Sequence, residues 1–152
     1  MVLDDIGFTD ERRYIAEIDS IQIEWIKEDL KEIQKETPIV ITLHIPLISA
    51  GKQMLEGGTA AMSPRLVLEN SHEILNLFKD HNLRLVLQGH LHILEEIIYK
   101  NTHFITAGAV SARWWKGSNA GFPEGFAVID AKENDFTWKY ETYGWQTVYK
   151  DE

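Results

Sequence analysis

Three histidines follow predicted strands at positions where imidazole side chains would meet and bind a metal ion. His44 comes directly after the apolar run 39–43, and His90 comes shortly after the apolar run 83–87. Parallel strands place their carboxyl ends at one edge of a sheet, where open α/β sheets bind ligands. Imidazole suits zinc, iron, manganese and nickel, among other metals. The spacing therefore predicts a metal site at this edge.

The segment Gly89-His90-Leu91-His92 adds a third imidazole to the predicted site. Residues two apart in extended backbone point the same way, so His92 is expected beside His90. Gly89 has no side chain, which lets the backbone bend or approach a metal closely. A lone histidine at a strand end is usually a surface or hydrogen-bonded residue. The Gly-His-x-His pattern, together with His44 at the neighbouring strand end, favours a metal site over that alternative.

Helices and strands alternate in the first half of the chain. Residues 19–36 predict an amphipathic helix that Asp19 caps, with Gln22 at the reciprocal position of the capping box. Pro38 ends this helix, and the β-branched run 39–43 is typical of a buried strand. The apolar stripe of the helix comprises Ile23, Ile26, Leu30 and Ile33.

A second helix connects the two strands that carry the histidines. Residues 47–69 are expected to be mainly loop, with one short helical turn. A helix over 71–80 follows Asn70, which forms a capping box with Glu73, and it leads into a strand at 84–88. With the preceding strand it makes a βαβ unit that has parallel strands and a right-handed crossover. Its buried stripe would be Ile74, Leu75 and Phe78.

The second half of the chain is predicted to be mostly strand. Strands are expected at 94–99, 103–107, 125–130 and 136–143, with the polar turn 131–135 between the last two. The expected fold class is therefore α/β: mixed β-sheets with flanking helices on one side and a strand-rich C-terminal half.

The composition limits the classes of molecule that this chain is expected to bind. The chain has 152 residues, of which 44% are hydrophobic, as in a globular domain with a buried core. A net charge of -9 disfavours nucleic acids and anionic membranes as partners, and no stretch is apolar enough to span a bilayer. A small anionic substrate remains compatible, because local cations or metals can dominate a site. The absence of cysteine excludes disulfides, thiolate metal sites and cysteine nucleophiles.

Two motifs resemble a known family. The Gly-His-Leu-His segment at 89–92 and the His-Ile-Pro segment at 44–46, each after an apolar strand, resemble the closing motifs of the calcineurin-like metallophosphoesterases. The helical segment with Trp25, Ile26 and Leu30 resembles the segment that precedes the first of these motifs. The resemblance covers essentially the whole chain, in order.

The resemblance implies a dinuclear metal-dependent phosphohydrolase, either a phosphatase or a phosphodiesterase. Two divalent ions (manganese, iron, zinc or nickel) would be bridged by an aspartate, with His44 and His90 on one ion and His92 on the other. Such ions activate a nucleophile and stabilise charge on the phosphoryl oxygens. The implied fold is the C-terminal half of an α/β-β/α sandwich.

The family's earlier motifs, Asp-x-His, Gly-Asp-x-x-Asp and Gly-Asn-His-Asp/Glu, do not occur in this sequence. The resemblance places them before Val2, so residues 1–152 are expected to be the C-terminal portion of one domain. Alone, this chain is expected to bind metal weakly or not at all, and to be inactive. The expected partners are a small phosphoester substrate, the missing N-terminal half and an oligomer that supplies further contacts. A non-catalytic binding or scaffold module is the alternative, and a single-metal site on this chain is a third hypothesis.

Several further residues near the predicted sheet edge are candidates for other roles. By resemblance to the family's flanking loop, Arg113 and Lys116 would contact a phosphate and Trp115 would line the pocket. The alternative is a surface loop over a packed aromatic cluster, and the frequent burial of tryptophan favours it. Asp4 and Asp5 are adjacent and so point apart, which argues against a carboxylate pair. The other three histidines are expected to be structural or exposed: His72, His81 and His103.

Overall fold

The computed structural model describes residues 1–9, 11, 13–133 and 135–149 of the chain. The predicted α/β class is confirmed, since helices and strands are interspersed up to the fourth strand and only strands follow it in the described residues. The elements, in chain order, are β1 (Ile6–Phe8), β2 (Tyr14–Ala16), α1 (Ser20–Glu32), β3 (Ile39–Thr42), α2 (Gly51–Glu56), α3 (Ser71–Leu77), β4 (Leu83–Gln88), β5 (Leu94–Tyr99), β6 (Thr102–Ala107), β7 (Phe126–Lys132) and β8 (Asp135–Glu141).

A four-stranded mixed sheet carries the strands that were predicted to position the histidines. Its strand order is β3-β4-β6-β5. β3, β4 and β6 run parallel, and β5 is antiparallel to β6. Two antiparallel hairpins, β1-β2 and β7-β8, are separate from this sheet. The parallel pairing of β3 with β4 therefore brings their carboxyl ends to one edge.

The two site-bearing strands differ in burial. β4 has strand neighbours on both sides, and it buries residues on both of its faces. β3 alternates instead, because Ile39 and Ile41 are buried while Val40 and Thr42 are exposed. Val2 pairs in parallel with Thr42 through an isolated bridge on the outer side of β3. The β-branched run that was expected to be a buried strand is thus buried on one face only.

Helix α1 begins as predicted but ends earlier. The Asp19 carboxylate accepts a hydrogen bond from the Gln22 amide at 2.7 Å. The Gln22 side chain does not complete the capping box: it bonds both the amide and the carbonyl of Asp4, at 2.9 and 2.6 Å. Ile33 turns to extended backbone after the last helical residue, so the helix stops short of residue 36. The expected capping-box role of Gln22 is wrong, because its side chain ties α1 to the N-terminal segment.

Helix α3 also departs from the predicted capping box. The Asn70 side chain makes no capping bond and instead bonds the amide and carbonyl of Ile18, at 3.2 and 2.8 Å. This pairing joins the segment before α1 to the start of α3. The helix ends at Leu77 rather than at residue 80, and Ile74 and Phe78 of the predicted stripe are buried.

The remaining elements are close to expectation, except for one hairpin. The β1-β2 hairpin was not predicted, whereas α2 is the short helical turn expected within residues 47–69. The last two strands lie one or two residues away from their predicted bounds. Within the described part of the chain, no helix has both the length and the apolarity needed to cross a membrane.

One hydrophobic core joins the helices to the sheet. Both α1 and α3 contribute to it, and so do β3, β4 and β6. Its fully buried large side chains include Ile18, Ile26, Ile41, Ile45, Leu68, Ile74, Val86 and Phe104.

We predict that Ile26→Ala lowers the free energy of unfolding by about 2–5 kcal/mol, because it leaves a cavity in the core. Ile26 is 0% exposed, whereas Ile21 of the same helix is 80% exposed. Ile21→Ala is therefore a matched control, expected to change stability by less than about 0.5 kcal/mol. Urea unfolding of both variants measures the difference, and equal losses would contradict this packing of α1.

Candidate metal-binding site

His44 and His90 lie side by side, two residues beyond the ends of β3 and β4. The backbone pairing of the two strands continues past their ends, with the Gly89 amide donating to the His44 carbonyl at 2.9 Å. Nδ1 of His90 is 3.1 Å from Nε2 of His44, and the ring centroids are 5.0 Å apart. The imidazoles of His44 and His90, which were expected to meet at the carboxyl ends of the two strands, thus do lie close together.

The distance between these ring nitrogens fits a shared metal ion. Metal–nitrogen bonds of 2.0–2.1 Å at angles between octahedral and tetrahedral separate two ligand nitrogens by roughly 2.8–3.4 Å. The 3.1 Å separation of His44 Nε2 and His90 Nδ1 falls within that range. It is also a hydrogen-bond distance, which suits a neutral pair that shares one proton. The pair can therefore hold either a proton or one ion.

His92 faces a different neighbour. Its Nδ1 lies 2.5 Å from the carbonyl oxygen of Ala112, and its ring stacks at 4.8 Å on Trp114, tilted by 34°. A carbonyl oxygen only accepts hydrogen bonds, so Nδ1 carries the proton and donates it. Nε2 then keeps its lone pair, which is the tautomer found in metal-binding histidines whose other nitrogen is anchored.

The backbone at the Gly-His-Leu-His segment is not extended. His90 and His92 have φ angles of 67° and 56°, in the left-handed region, whereas Gly89 is not among the positive-φ residues. The expectation that extended backbone would point both rings the same way is therefore wrong. The turn that Gly89 was expected to allow is instead made by His90 and His92. Residues other than glycine in left-handed backbone are often found at functional sites.

The described residues supply fewer ligands than a complete metal site. Among them, no group of three histidine, cysteine, aspartate or glutamate side chains is placed to hold one ion. His92 therefore does not form a three-ligand set with His44 and His90. Two facing imidazoles fit one ion only when further ligands complete its coordination.

Asp5 is a site residue that the sequence analysis weighed only as half of a carboxylate pair with Asp4. Its side chain is 2% exposed and accepts a hydrogen bond from the Ile45 amide. Burial raises the pKa of Asp5, while the backbone amide of Ile45 and the nearby His44 oppose the shift. The carboxylate therefore fixes the backbone on the C-terminal side of His44. The available signal was the apolar Leu3 two residues earlier, since extended backbone would place Asp5 on the same face as Leu3.

The predicted substrate-binding loop folds partly on itself. The Arg113 guanidinium donates to the Lys116 carbonyl at 3.2 Å, and Trp115 packs edge-on against Trp145 with centroids 5.4 Å apart. Trp115 is still 44% exposed. The structure places Trp114, which the sequence reasoning did not single out, against a predicted ligand.

The other three histidines lie apart from the site. His103 pairs with Glu96 at 2.7 Å and packs edge-on against Phe136. His72 is exposed on α3, and His81 is half-buried just after that helix.

The surroundings of His90 favour its neutral form. Burial lowers the pKa of His90 below the ordinary 6.5, and the positive charge that His44 would carry lowers it further. The nearby backbone of Arg65 partly opposes this lowering of the pKa. The neutral imidazole is the form that binds a metal ion.

We predict that His90 titrates below 6.5 when the ring protons are followed by NMR. His44→Ala should raise this pKa only partway towards 6.5, because burial is the larger cause. His72→Ala on the exposed face of α3 is the control and should leave it unchanged. Since the unfolded chain binds this proton more readily, the contribution of His90 to stability is present above pH 6.5 and is lost as the pH falls through its folded pKa. A pKa of His90 at or above 6.5 would contradict the burial.

We predict that Asp5→Ala costs about 1–3 kcal/mol of unfolding free energy, because the Ile45 amide loses its buried acceptor. Asp4→Ala is the matched control, since Asp4 is exposed, and it should cost less than about 0.5 kcal/mol. Chemical denaturation measures the unfolding free energy of both variants. Equal losses in Asp5→Ala and Asp4→Ala would show that the buried contact of Asp5 adds no stability beyond that of its exposed neighbour.

Comparison with known proteins adds little to this geometry. No protein-family model matches the chain. No curated protein matches it either. Solved structures similar to the chain include a crystal structure of a single mutant of Vps29 from Entamoeba histolytica. The sequence identity is 11% and the TM-score is 0.32, with 92% of this chain and 96% of that chain covered. The α/β assignment therefore rests on the helices and strand order of this chain.

Proposed function

We propose that this chain carries the histidine side of a divalent-metal site that hydrolyses phosphoesters. The observation that carries the proposal is the 3.1 Å approach of His44 Nε2 and His90 Nδ1 at the carboxyl ends of adjacent parallel strands. The resemblance of the two histidine motifs to those of the calcineurin-like metallophosphoesterases supplies the reaction class. The substrate would be a small phosphomonoester or phosphodiester.

Each histidine has a separate role in this proposal. His44 and His90 share one ion, and His92 offers Nε2 to a second ion from the tautomer that the Ala112 carbonyl imposes. Bound divalent ions would activate the nucleophile and neutralise charge on the phosphoryl group. The remaining ligands, carboxylates above all, come from polypeptide beyond the described residues, because these contain no group of three potential ligands around one ion.

The surroundings of the pair keep its ligands in place. Burial lowers the pKa of His90, which favours the neutral imidazole that binds a metal ion. Asp5 fixes the backbone next to His44 through the Ile45 amide. Arg113, Trp115 and Lys116 remain candidates for contact with the substrate from the neighbouring loop.

A non-catalytic binding module is the second candidate function. The specific observation in its favour is again the lack of a three-ligand group among the described residues. In that case His44 and His90 share a proton, and the 3.1 Å contact is a hydrogen bond that stabilises the sheet edge. The two candidates differ in whether metal binds at all.

We predict weak binding of zinc and manganese to this chain, measured by isothermal titration calorimetry. His44→Ala and His90→Ala should each weaken binding by about tenfold or more, since each removes a ligand. The control, His72→Ala, removes an exposed histidine from α3 and should bind as the wild type does. Unchanged affinity in both site variants would exclude the metal site and favour the binding module.

Hydrolysis of aryl phosphate mono- and diesters with added manganese tests the reaction itself. The comparison uses this chain and a longer polypeptide that contains the missing family motifs. Activity of the longer protein that falls to background in His90→Ala supports the proposal. Metal binding without hydrolysis by either protein would contradict the enzymatic role.

A further inference from the structure

A tight turn holds Arg65 next to the histidine pair. The Leu66 amide donates to the Ser63 carbonyl at 3.1 Å, and Pro64 and Val67 form an isolated bridge across the turn. Arg65 lies between them in left-handed backbone, with φ at 76°. This conformation is uncommon for a residue other than glycine, and it is kept only where the surroundings determine it.

The turn is anchored to the segment beside His44. The Leu68 amide donates to the carbonyl of Pro46 at 2.9 Å, which ties the turn to the residues that follow His44. The backbone of Arg65 is also close enough to His90 to oppose the lowering of its pKa. The turn therefore lies beside the histidine pair.

The side chain of Arg65 lies over an aromatic ring that itself borders the site. Its guanidinium carbon is 5.5 Å from the centroid of the Tyr14 ring, which is a cation–π distance. The Tyr14 ring in turn stands edge-on to His90, with centroids 6.3 Å apart. Tyr14 lies in the β1-β2 hairpin, which the sequence analysis did not predict. Its ring thus holds the positive charge of Arg65 beside the histidine pair.

The donors of this guanidinium are open to an anion. Arg65 is exposed, and within residues 1–9, 11, 13–133 and 135–149 it forms no ion pair. A guanidinium presents its donors in a planar fork that matches two oxygens of a phosphate group. Stacking on Tyr14 restricts the guanidinium and so reduces the entropy lost when an anion binds.

We infer that Arg65, held by Tyr14, forms a phosphate-binding subsite beside His90. The inference rests on the proposed function for the identity of the substrate, whose phosphoryl group Arg65 would bind. Binding of the anion itself uses Arg65 and requires no metal ion. Arg65 then binds the phosphate in addition to Arg113 and Lys116, for which the family resemblance implied such a contact.

Inorganic phosphate added to the metal-free chain tests this subsite. The ring resonances of Tyr14 and His90 should shift in NMR spectra as phosphate binds, at constant pH and ionic strength. Arg65→Ala should weaken binding at least about tenfold, as expected for a charge-assisted bidentate contact. Arg65→Lys should fall between the two, because it keeps the charge and loses the fork. Tyr14→Leu should also weaken binding, by a smaller factor.

Two controls separate this result from damage to the fold. Lys139→Ala removes a cation from β8 that pairs with Glu141, and it should leave phosphate binding unchanged. Arg65→Gln keeps most of the side chain's volume and should lose binding as Arg65→Ala does, with an unchanged melting temperature for both. Arg113→Ala tests the loop that the family resemblance implied, and it should weaken phosphate binding less than Arg65→Ala does.

The outcomes distinguish this inference from the proposed function. Phosphate binding by Arg65→Ala at the wild-type affinity, or no binding by the wild type, overturns the subsite whatever the metal results. Binding that depends on Arg113 and not on Arg65 overturns it as well. Arg65-dependent phosphate binding supports the subsite whether or not the chain alone binds metal, and the hydrolase fails separately if the longer polypeptide shows no hydrolysis.

Discussion

Parallel hydrogen bonding joins β3 to β4, with Ile41 opposite Val86 and Thr42 opposite Leu87. The pairing runs on beyond both strands to the contact between the Gly89 amide and the His44 carbonyl. Since the two strands run in the same direction, they end at the same edge of the sheet. The side chains two residues beyond their ends, those of His44 and His90, consequently lie side by side. The 3.1 Å separation of His44 and His90 is a direct consequence of this register, and a slip of one residue would turn one imidazole to the other face.

The rest of the site is arranged around this edge by segments that are distant in sequence. Asp5 supports the backbone beside His44 from the N-terminal segment, and the turn with Arg65 closes over His90. The loop after β6 contributes the Ala112 carbonyl and the Trp114 ring to His92. Behind the edge, α1 and α3 share one core with the sheet. The arrangement therefore combines a rigid scaffold with polar groups that are held by specific long-range contacts.

Local patterns in the sequence were sufficient to predict most of the helices and strands. They were not sufficient to predict the long-range contacts that the side chains make. The alternation of helix and strand, the Asp19 cap and the positions of His44 and His90 follow from periodicity and from the rule about strand ends. Gln22 and Asn70 both fit local capping boxes, yet each bonds a distant backbone segment instead. The left-handed turns at His90 and His92 also could not be read from the sequence, because tertiary contacts impose them. The contact of Asp5 was missed because it depends on Ile45, which is 40 residues away.

The central claim is that His44 and His90 bind one divalent ion together, and zinc K-edge X-ray absorption of the zinc-loaded chain tests it directly. We expect imidazole ligands at about 2.0–2.1 Å from the zinc ion, with one fewer in His44→Ala and in His90→Ala. A spectrum without imidazole scattering, or one that neither substitution alters, would contradict the claim.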